Sequence, residues 1–276
     1  MIDTKTKLCG LIGNPVEHSL SPIMHNAAFK NLGLNFVYLA FKVDDLEHTL
    51  KGMRELNIRG LNVTIPYKVE VMKYLNDIDE TARKIGAVNT IVNDNGFLKG
   101  FNTDWIGAIK SIEEKTSIKG KKVVMLGAGG AARAVAFGIK NRRGRLTILN
   151  RTVEKAEKLS KEVDCNFGEL DYLKYLSYDI LINTTSIGMY PNKNSSLVEK
   201  NILKNVDFVF DIVYNPLKTK LLKDAENVGC QIIEGINMLV LQGAEAFELW
   251  TGKKPDIKLM KKIAIKQLTI GERNEK

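Results

Sequence analysis

Cysteine, histidine and long apolar runs are all scarce in this chain, and each scarcity excludes something. The three cysteines among 276 residues, Cys9, Cys165 and Cys230, are odd in number, far apart and in no metal-ligand spacing. A disulfide framework is thereby excluded, and buried thiols in a reducing cytoplasm are expected. The three histidines, His18, His25 and His48, fall on a loop and two separate helices and form no metal set, so no metal is expected. His25, beside a Ser-Pro turn, reads as a helix–loop hydrogen-bond partner rather than a catalyst. No stretch approaches the roughly 20 apolar residues of a membrane span. Residues 1–7 lead straight into a strand, so no signal peptide is expected. There is no internal repeat, and only residues 271–276 read as disordered.

What is present is the composition of a globular protein: 44% hydrophobic and 26% charged residues, with length for one large or two ordinary domains. The net charge of +9 raises nucleic acid as a partner. However, most lysines alternate with acids, as in Glu154-Lys155-Ala156-Glu157-Lys158, the pattern of a solvated helix face. The one basic cluster, Lys140 to Arg145, follows a helix on the face away from the glycine turn described next. A positive surface does collect small anionic ligands.

Residues 121–126 form a short apolar run of strand length. Gly127-Ala128-Gly129-Gly130-Ala131-Ala132 follows at once, an amphipathic helix continues through Ile139, and residues 146–149 supply a second strand. Gly127 permits the strand-to-helix turn, Gly129 lets backbone N–H groups approach a pyrophosphate, and Ala132 takes the small position where helix meets strand. This context of strand, glycine turn and helix marks a dinucleotide site. After the second strand come Asn150-Arg151-Thr152 and then Lys155. A carboxylate there would accept from the ribose 2′-OH of NAD and repel a 2′-phosphate; an Arg with a nearby Lys reverses that preference. NADP(H) is the expected cofactor.

The first hundred residues alternate strand and helix: strands over 7–12, 36–41, 60–65, 88–92 and 97–101, and helices over 22–32 and 44–56. In the helix over 44–56, Leu46, Leu50, Met53 and Leu56 make one apolar stripe, and Asp44 with Glu47 forms a capping box. Pro66 sits where another helix would start. Asn95-Gly96 predicts a hairpin, so this half reads as mostly parallel with an antiparallel edge. A helix from Asp104 leads into the nucleotide domain, whose further strands are expected at 179–182, 208–211 and 231–233. Helices over 238–250 and 257–268 close the chain. The fold class is therefore α/β with two α/β domains. One spans residues 1–104, with 237–276 packing back onto it, and carries a mixed, mostly parallel sheet. The other, 105–236, is a doubly wound Rossmann-type NADP domain, with the substrate expected in a cleft between the two.

Polar residues at strand ends of the first domain form four clusters: Ser19 and Ser21 before a helix, Asn62 to Lys68, Gly86 to Thr90, and Asn102 to Asp104. Taken singly, each has a plainer reading. Ser21 serves as an N-cap, Asn89 and Asn102 as turn residues, Asp104 as an ordinary helix head, and Lys68 as a surface charge. Their clustering favours a site.

These segments resemble the shikimate dehydrogenase family in order and along essentially the whole chain. Gly13-Asn-Pro15, His18-Ser-Leu-Ser-Pro22, Asn62-Val-Thr-Ile-Pro-Tyr-Lys68, Gly86-Ala-Val-Asn-Thr90 and Asn102-Thr-Asp104 match its substrate side. Gly127 to Ala131, Asn150 to Thr152, Asn183 to Met189, Asp211 to Pro216 and Gly235 to Gln242 match its cofactor side and closing helix. Thr184 stands where Ala is common. The resemblance implies NADPH-dependent reduction of 3-dehydroshikimate to shikimate, toward the aromatic amino acids. It further implies that Gly127, Ala128, Gly129, Gly130, Ala131, Asn150, Arg151, Thr152, Lys155, Thr184, Ile212, Gly235 and Met238 hold the cofactor.

Hydride delivery to a ketone builds negative charge on oxygen, and a lysine in a dry pocket can donate the proton; Lys68 is that candidate, with Asp104 carried over from the family as its partner. Ser19, Ser21 and Tyr214 can serve the substrate carboxylate, and Thr64, Asn89, Asp104 and Gln242 its hydroxyls. A quinate/shikimate dehydrogenase using NAD is the enzymatic alternative. A non-catalytic NADP(H) sensor would have no reason to keep Lys68 with Asp104. No nucleic acid or membrane partner is expected, and the protein is expected to work in the cytoplasm as a monomer or homodimer.

Overall fold

In the computed structural model the described residues are 2–274, with side chains described through 270. They divide into two compact units, one of residues 2–103 with 240–274 and the other of 104–239.

The first unit contains β1 (Lys7–Gly13), α1 (Ser21–Asn31), β2 (Phe36–Lys42), α2 (Leu46–Glu55), β3 (Gly60–Val63), β4 (Asp77–Ile78), α3 (Glu80–Ile85), β5 (Thr90–Asp94) and β6 (Phe97–Phe101). Its sheet runs β2-β1-β3-β5-β6-β4. β1 pairs in parallel with β2 and β3, whereas β5 is antiparallel to both β3 and β6. The reversed strand therefore lies inside the sheet, not at its edge as the sequence led us to expect; the edge is β4, parallel to β6. The cause is local. The segment after β3 returns to that strand's carboxyl end, where Val63 N–H donates to Asn89 O at 2.8 Å, so β5 has to run back. Asn95 (φ 52°) and Gly96 (φ 89°) then turn the chain as a two-residue hairpin requires.

Three local expectations are corrected. The cap of α2 is Asp45, whose carboxylate accepts from His48 N–H at 2.9 Å, while Asp44 accepts from Asn14 Nδ2 at 3.0 Å. Leu46, Leu50 and Met53 are buried, but Leu56 lies past the helix end and is exposed. Pro66 starts no α-helix; a turn leads instead to a 3-10 helix at Glu70–Tyr74.

His25 overturns a further expectation. Its ring is fully buried, stacked on Tyr38 with centroids 4.4 Å apart and lying near Phe29, Phe247 and Trp250, and neither ring nitrogen has a hydrogen-bond partner. Burial pulls its pKa from 6.5 down to about 3. Protons therefore bind the unfolded chain first, so this group's contribution to stability is intact above pH 6.5 and drains away as pH falls toward 3. The slope over that window is about 1.4 kcal/mol per pH unit. His25→Phe is expected to flatten it, as read from urea midpoints between pH 7 and pH 4; an unchanged pH dependence would exclude His25 as the source.

The second unit contains α4 (Asp104–Glu113), β7 (Lys122–Leu126), α5 (Gly130–Asn141), β8 (Arg145–Leu149), α6 (Val153–Val163), β9 (Asn166–Gly168), β10 (Ile180–Asn183), β11 (Phe208–Asp211), α7 (Lys220–Asn227) and β12 (Gln231–Glu234). The chain ends in α8 (Gly235–Thr251), which passes into the first unit at Val240, and α9 (Ile257–Asn274). Gly271–Asn274 thus continue a helix, against the disorder expected for 271–276; the last two residues lie outside those described.

The second sheet is wholly parallel, in the order β12-β11-β10-β7-β8-β9. Counted from β7 as first, this is the doubly wound 3-2-1-4-5-6 order. Its central strands β7, β10 and β11 are mostly apolar because both faces are covered. Val123, Met125, Ile148, Ile180, Ile182 and Phe210 pack with Ala132, Val135, Ala136 and Ile139 of α5 in one core. β9 was not foreseen. Of the three cysteines, Cys9 and Cys230 are buried and Cys165 half-buried. No helix among the described residues is long and apolar enough to cross a membrane.

Candidate active site

In the first unit the substrate-side clusters meet because β1 and β3 are parallel neighbours. Their carboxyl ends release adjacent loops: Thr64 N–H donates to Ile12 O at 2.9 Å, and a Cβ on Gly13 would stand 2.3 Å from Thr64 Cγ2. Ser19 lies in the loop after Gly13, half-buried, and its Oγ accepts from Ser21 N–H at 3.2 Å. Ser21 is buried as the first residue of α1, where Leu20 holds the cap position without a side-chain bond, so the capping role does not apply to it. Lys68 is half-buried, and its carbonyl accepts from Val88 N–H at 2.8 Å, which brings it beside Asn89.

Asn89 is the centre of this cluster and is 2% exposed. Its Oδ1 accepts from Thr103 N–H at 2.7 Å and from Thr90 Oγ1 at 3.1 Å. Its Nδ2 donates to Thr103 Oγ1 at 3.0 Å and to Gln242 Oε1 at 3.3 Å. Asn62 extends the network, donating from Nδ2 to Thr90 Oγ1 at 3.0 Å and accepting from the Tyr38 hydroxyl at 2.8 Å. The structure thus joins Asn89 and Gln242, which are 153 positions apart. Helix α8, which carries Gln242, is docked on the sheet by Trp250 Nε1, donating to Ile91 O at 3.0 Å. Asp104 is buried at the start of α4, next in the chain to Thr103. Asp104 and Tyr214 belong to the second unit. Sequence reasoning gave no task to Asn62, Thr90, Thr103 or Tyr38. The first three were visible within the strand-end clusters, but Tyr38 sits in an apolar strand and gave no signal.

In the second unit, Gly127 has φ +110°, and a Cβ there would stand 2.6 Å from Thr184 Oγ1. Only glycine combines that backbone with that contact. Gly129 precedes α5 and has open space where a Cβ would be. The first bond that closes a turn of this helix is Arg133 N–H to Gly129 O, which leaves the N–H groups of Gly130, Ala131 and Ala132 outside the helix's own ladder. Beside them is a cavity of about 200 Å³ lined by Ala128, Gly129, Asn150, Arg151, Thr152 and Lys155. Asn150 Nδ2 donates to Thr152 O at 2.8 Å and holds this turn. An exposed Arg and an exposed Lys in one cavity with a helix N-terminus could hold two phosphate groups, and the residues present fit a dinucleotide.

Of the other residues expected on the cofactor side, Thr184, Ile212, Gly235 and Met238 do not line this cavity. The Thr184 hydroxyl is engaged by Leu126 O at 2.7 Å. Met238 is buried in the core under the sheet, with Ile212 packed against the same cluster. Gly235 abuts the backbone of the β11 loop, where a Cβ would stand 2.5 Å from Ile212 O and from Val213 O. Asn183, Asp211 and Thr219 are buried polar residues that sequence reasoning left without a role.

Comparison with known proteins matches this geometry. Residues 11–91 match the family model for the shikimate dehydrogenase substrate binding domain, 109–221 that for shikimate / quinate 5-dehydrogenase, and 235–265 that for the shikimate 5′-dehydrogenase C-terminal domain. A relative from Methanococcus maripaludis named shikimate dehydrogenase (NADP(+)) is 49% identical over 273 residues, covering 95% of this chain and 98% of its own. A crystal structure of a shikimate dehydrogenase in complex with NADP+ superposes with a TM-score of 0.92 at 49% identity, covering 97% of this chain and 98% of its own. The Thermus thermophilus enzyme in complex with NADP(H) and shikimate gives 0.87 at 35% identity, covering 94% and 98%. With the family's domains matched in order on two sheets that carry the expected clusters, this chain belongs to the shikimate dehydrogenase family.

Proposed function

We propose that this chain is an NADP-dependent shikimate dehydrogenase that interconverts 3-dehydroshikimate and shikimate, as a cytoplasmic monomer or homodimer acting on a small molecule. The observation that carries this reading is the cavity in which Arg151 and Lys155 stand beside the glycine turn. NADPH supplies the hydride when bound. The N–H groups at the start of α5 hold its pyrophosphate, and Arg151 with Lys155 neutralises the 2′-phosphate. Lys68 gives its proton to the ketone oxygen as charge develops there, and Asp104 is the partner that the family resemblance assigns to it. Thr64, Asn89 and Gln242 orient ring hydroxyls, and Ser19, Ser21 and Tyr214 receive the carboxylate.

The family model over 109–221 covers shikimate and quinate enzymes alike, so the two substrates have to be separated by assay. Purified protein is expected to reduce NADP+ with shikimate far faster than NAD+ with quinate. The reverse ranking would establish the quinate alternative, and no turnover with either pair would leave an NADP(H)-binding sensor.

A further inference from the structure

The second unit holds a buried polar hub that the reaction as described does not use. Asp211 ends β11 and Asn183 ends β10, paired in register. Asp211 is fully buried. Its Oδ1 accepts from Asn183 Nδ2 at 2.9 Å and from Val213 N–H at 3.0 Å, and its Oδ2 accepts from Thr219 Oγ1 at 2.7 Å. Asn183 in turn fixes the loop after β10: its Oδ1 accepts from Thr185 N–H at 3.1 Å and from Thr185 Oγ1 at 2.7 Å, while its Nδ2 reaches Ile187 O at 3.3 Å. Tyr190 N–H donates to Asn215 O at 3.0 Å and ties the two loops again farther out.

Position in the sheet says what these loops face. Ligands of a doubly wound sheet lie outside the carboxyl ends of its strands. The glycine turn follows β7, and the Arg151 cavity follows β8 on one side of it. The half of the dinucleotide that carries no 2′-phosphate must then extend to the other side of β7, over β10 and β11. The loop after β10 begins against the glycine turn itself, at Thr184.

We infer that Asp211 is a positioning residue for hydride transfer: by clamping Asn183, Val213 and Thr219 it fixes the loops after β10 and β11 that seat the nicotinamide half, without touching the ligand. This rests on the NADP-dependent reaction proposed above. Desolvation pushes the Asp211 pKa up to about 6, against the three donors that favour the carboxylate. A carboxylate kept in so costly a place fits a task that several donors share.

Asp211→Ala removes the clamp; if that variant fails to fold, Thr219→Val severs the Oδ2 contact, together with the α7 cap bond that the hydroxyl accepts from Leu222 N–H at 3.3 Å. Asp211→Asn keeps an acceptor at Oδ1 and offers an N–H to Thr219 Oγ1. With shikimate and NADP+, kcat of Asp211→Ala is expected to fall on the order of a hundredfold, the cost of displacing a reacting group by roughly 1 Å. Thr219→Val is expected to fall less, and Asp211→Asn to recover most of the loss. In the reverse direction, with 3-dehydroshikimate, the primary deuterium isotope effect from NADPH deuterated at the transferred C4 position should rise in Asp211→Ala as hydride transfer becomes limiting. The Kd for 2′-phospho-ADP-ribose, which lacks nicotinamide, should stay at the wild-type value. Folded variants with wild-type kcat, or a fragment affinity that falls in step with kcat, would overturn the role. A wild-type protein inactive with shikimate and NADP+ would overturn the functional reading as well.

Discussion

Lys68→Ala is expected to lower kcat for shikimate oxidation by about 10²- to 10⁴-fold, the usual contribution of a positioned proton donor or acceptor. That is roughly 3–5 kcal/mol of transition-state stabilisation. The NADP+ dissociation constant should not move, because the cavity proposed for the cofactor's phosphates belongs to the second unit and Lys68 to the first. Lys68→Arg separates two roles for the ammonium. Arginine keeps the charge but does not release a proton at accessible pH. If proton transfer is the task, Lys68→Arg will be as impaired as Lys68→Ala. If the charge alone anchors the substrate, Lys68→Arg will regain a large part of kcat/KM. Near-wild-type turnover in Lys68→Ala would remove Lys68 from the mechanism.

The second large effect is on cofactor choice. Arg151→Ala should raise the KM for NADP+ by roughly tenfold and leave that for NAD+ nearly unchanged. A charge-assisted bond is worth about 1.5–3 kcal/mol; Arg151 is exposed, so solvent and salt screen it toward the lower figure. Lys155 shares the cavity and limits the loss. The double variant with Lys155→Ala should therefore lose more than Arg151→Ala, and the difference should shrink at high ionic strength. An unaltered ratio of NADP+ to NAD+ efficiency in the double variant would refute the assignment of this cavity to the 2′-phosphate.

What was legible in the sequence divides along physical lines. The second sheet announced itself because strands covered on both faces must be apolar runs, and because one glycine turn has few alternative explanations. β9 escaped because Asn166–Gly168 is too short to show a period. Strand direction in the first sheet was not legible, since it depends on where the segment after β3 returns, a matter of tertiary hydrogen bonds. The displaced cap of α2 shows the same limit on a smaller scale: Asp44 and Asp45 are both good caps, and only backbone geometry chooses between them.

In the site, strand-end position was enough to pick out Ser19, Thr64, Lys68 and Asn89 as a group. It said nothing of Tyr38 and little of Asn62, because partners 24 to 28 positions away leave no local pattern. His25 was misread for a related reason. The Ser-Pro turn nearby in sequence suggested a polar partner, but its neighbours in space are rings.

The Asn89 amide, already engaged at both ends by Thr90, Thr103 and Gln242, bears on discrimination. A buried group left bereft by a deoxygenated analogue exacts a penalty, but Asn89 keeps its companions whether or not a hydroxyl arrives. If it greets the substrate as proposed, it does so by exchanging one bond for another. Such a swap adds little to tightness of binding and much to alignment. Fidelity toward the correct hydroxylated carbocycle then has to come from residues less well provided for at rest.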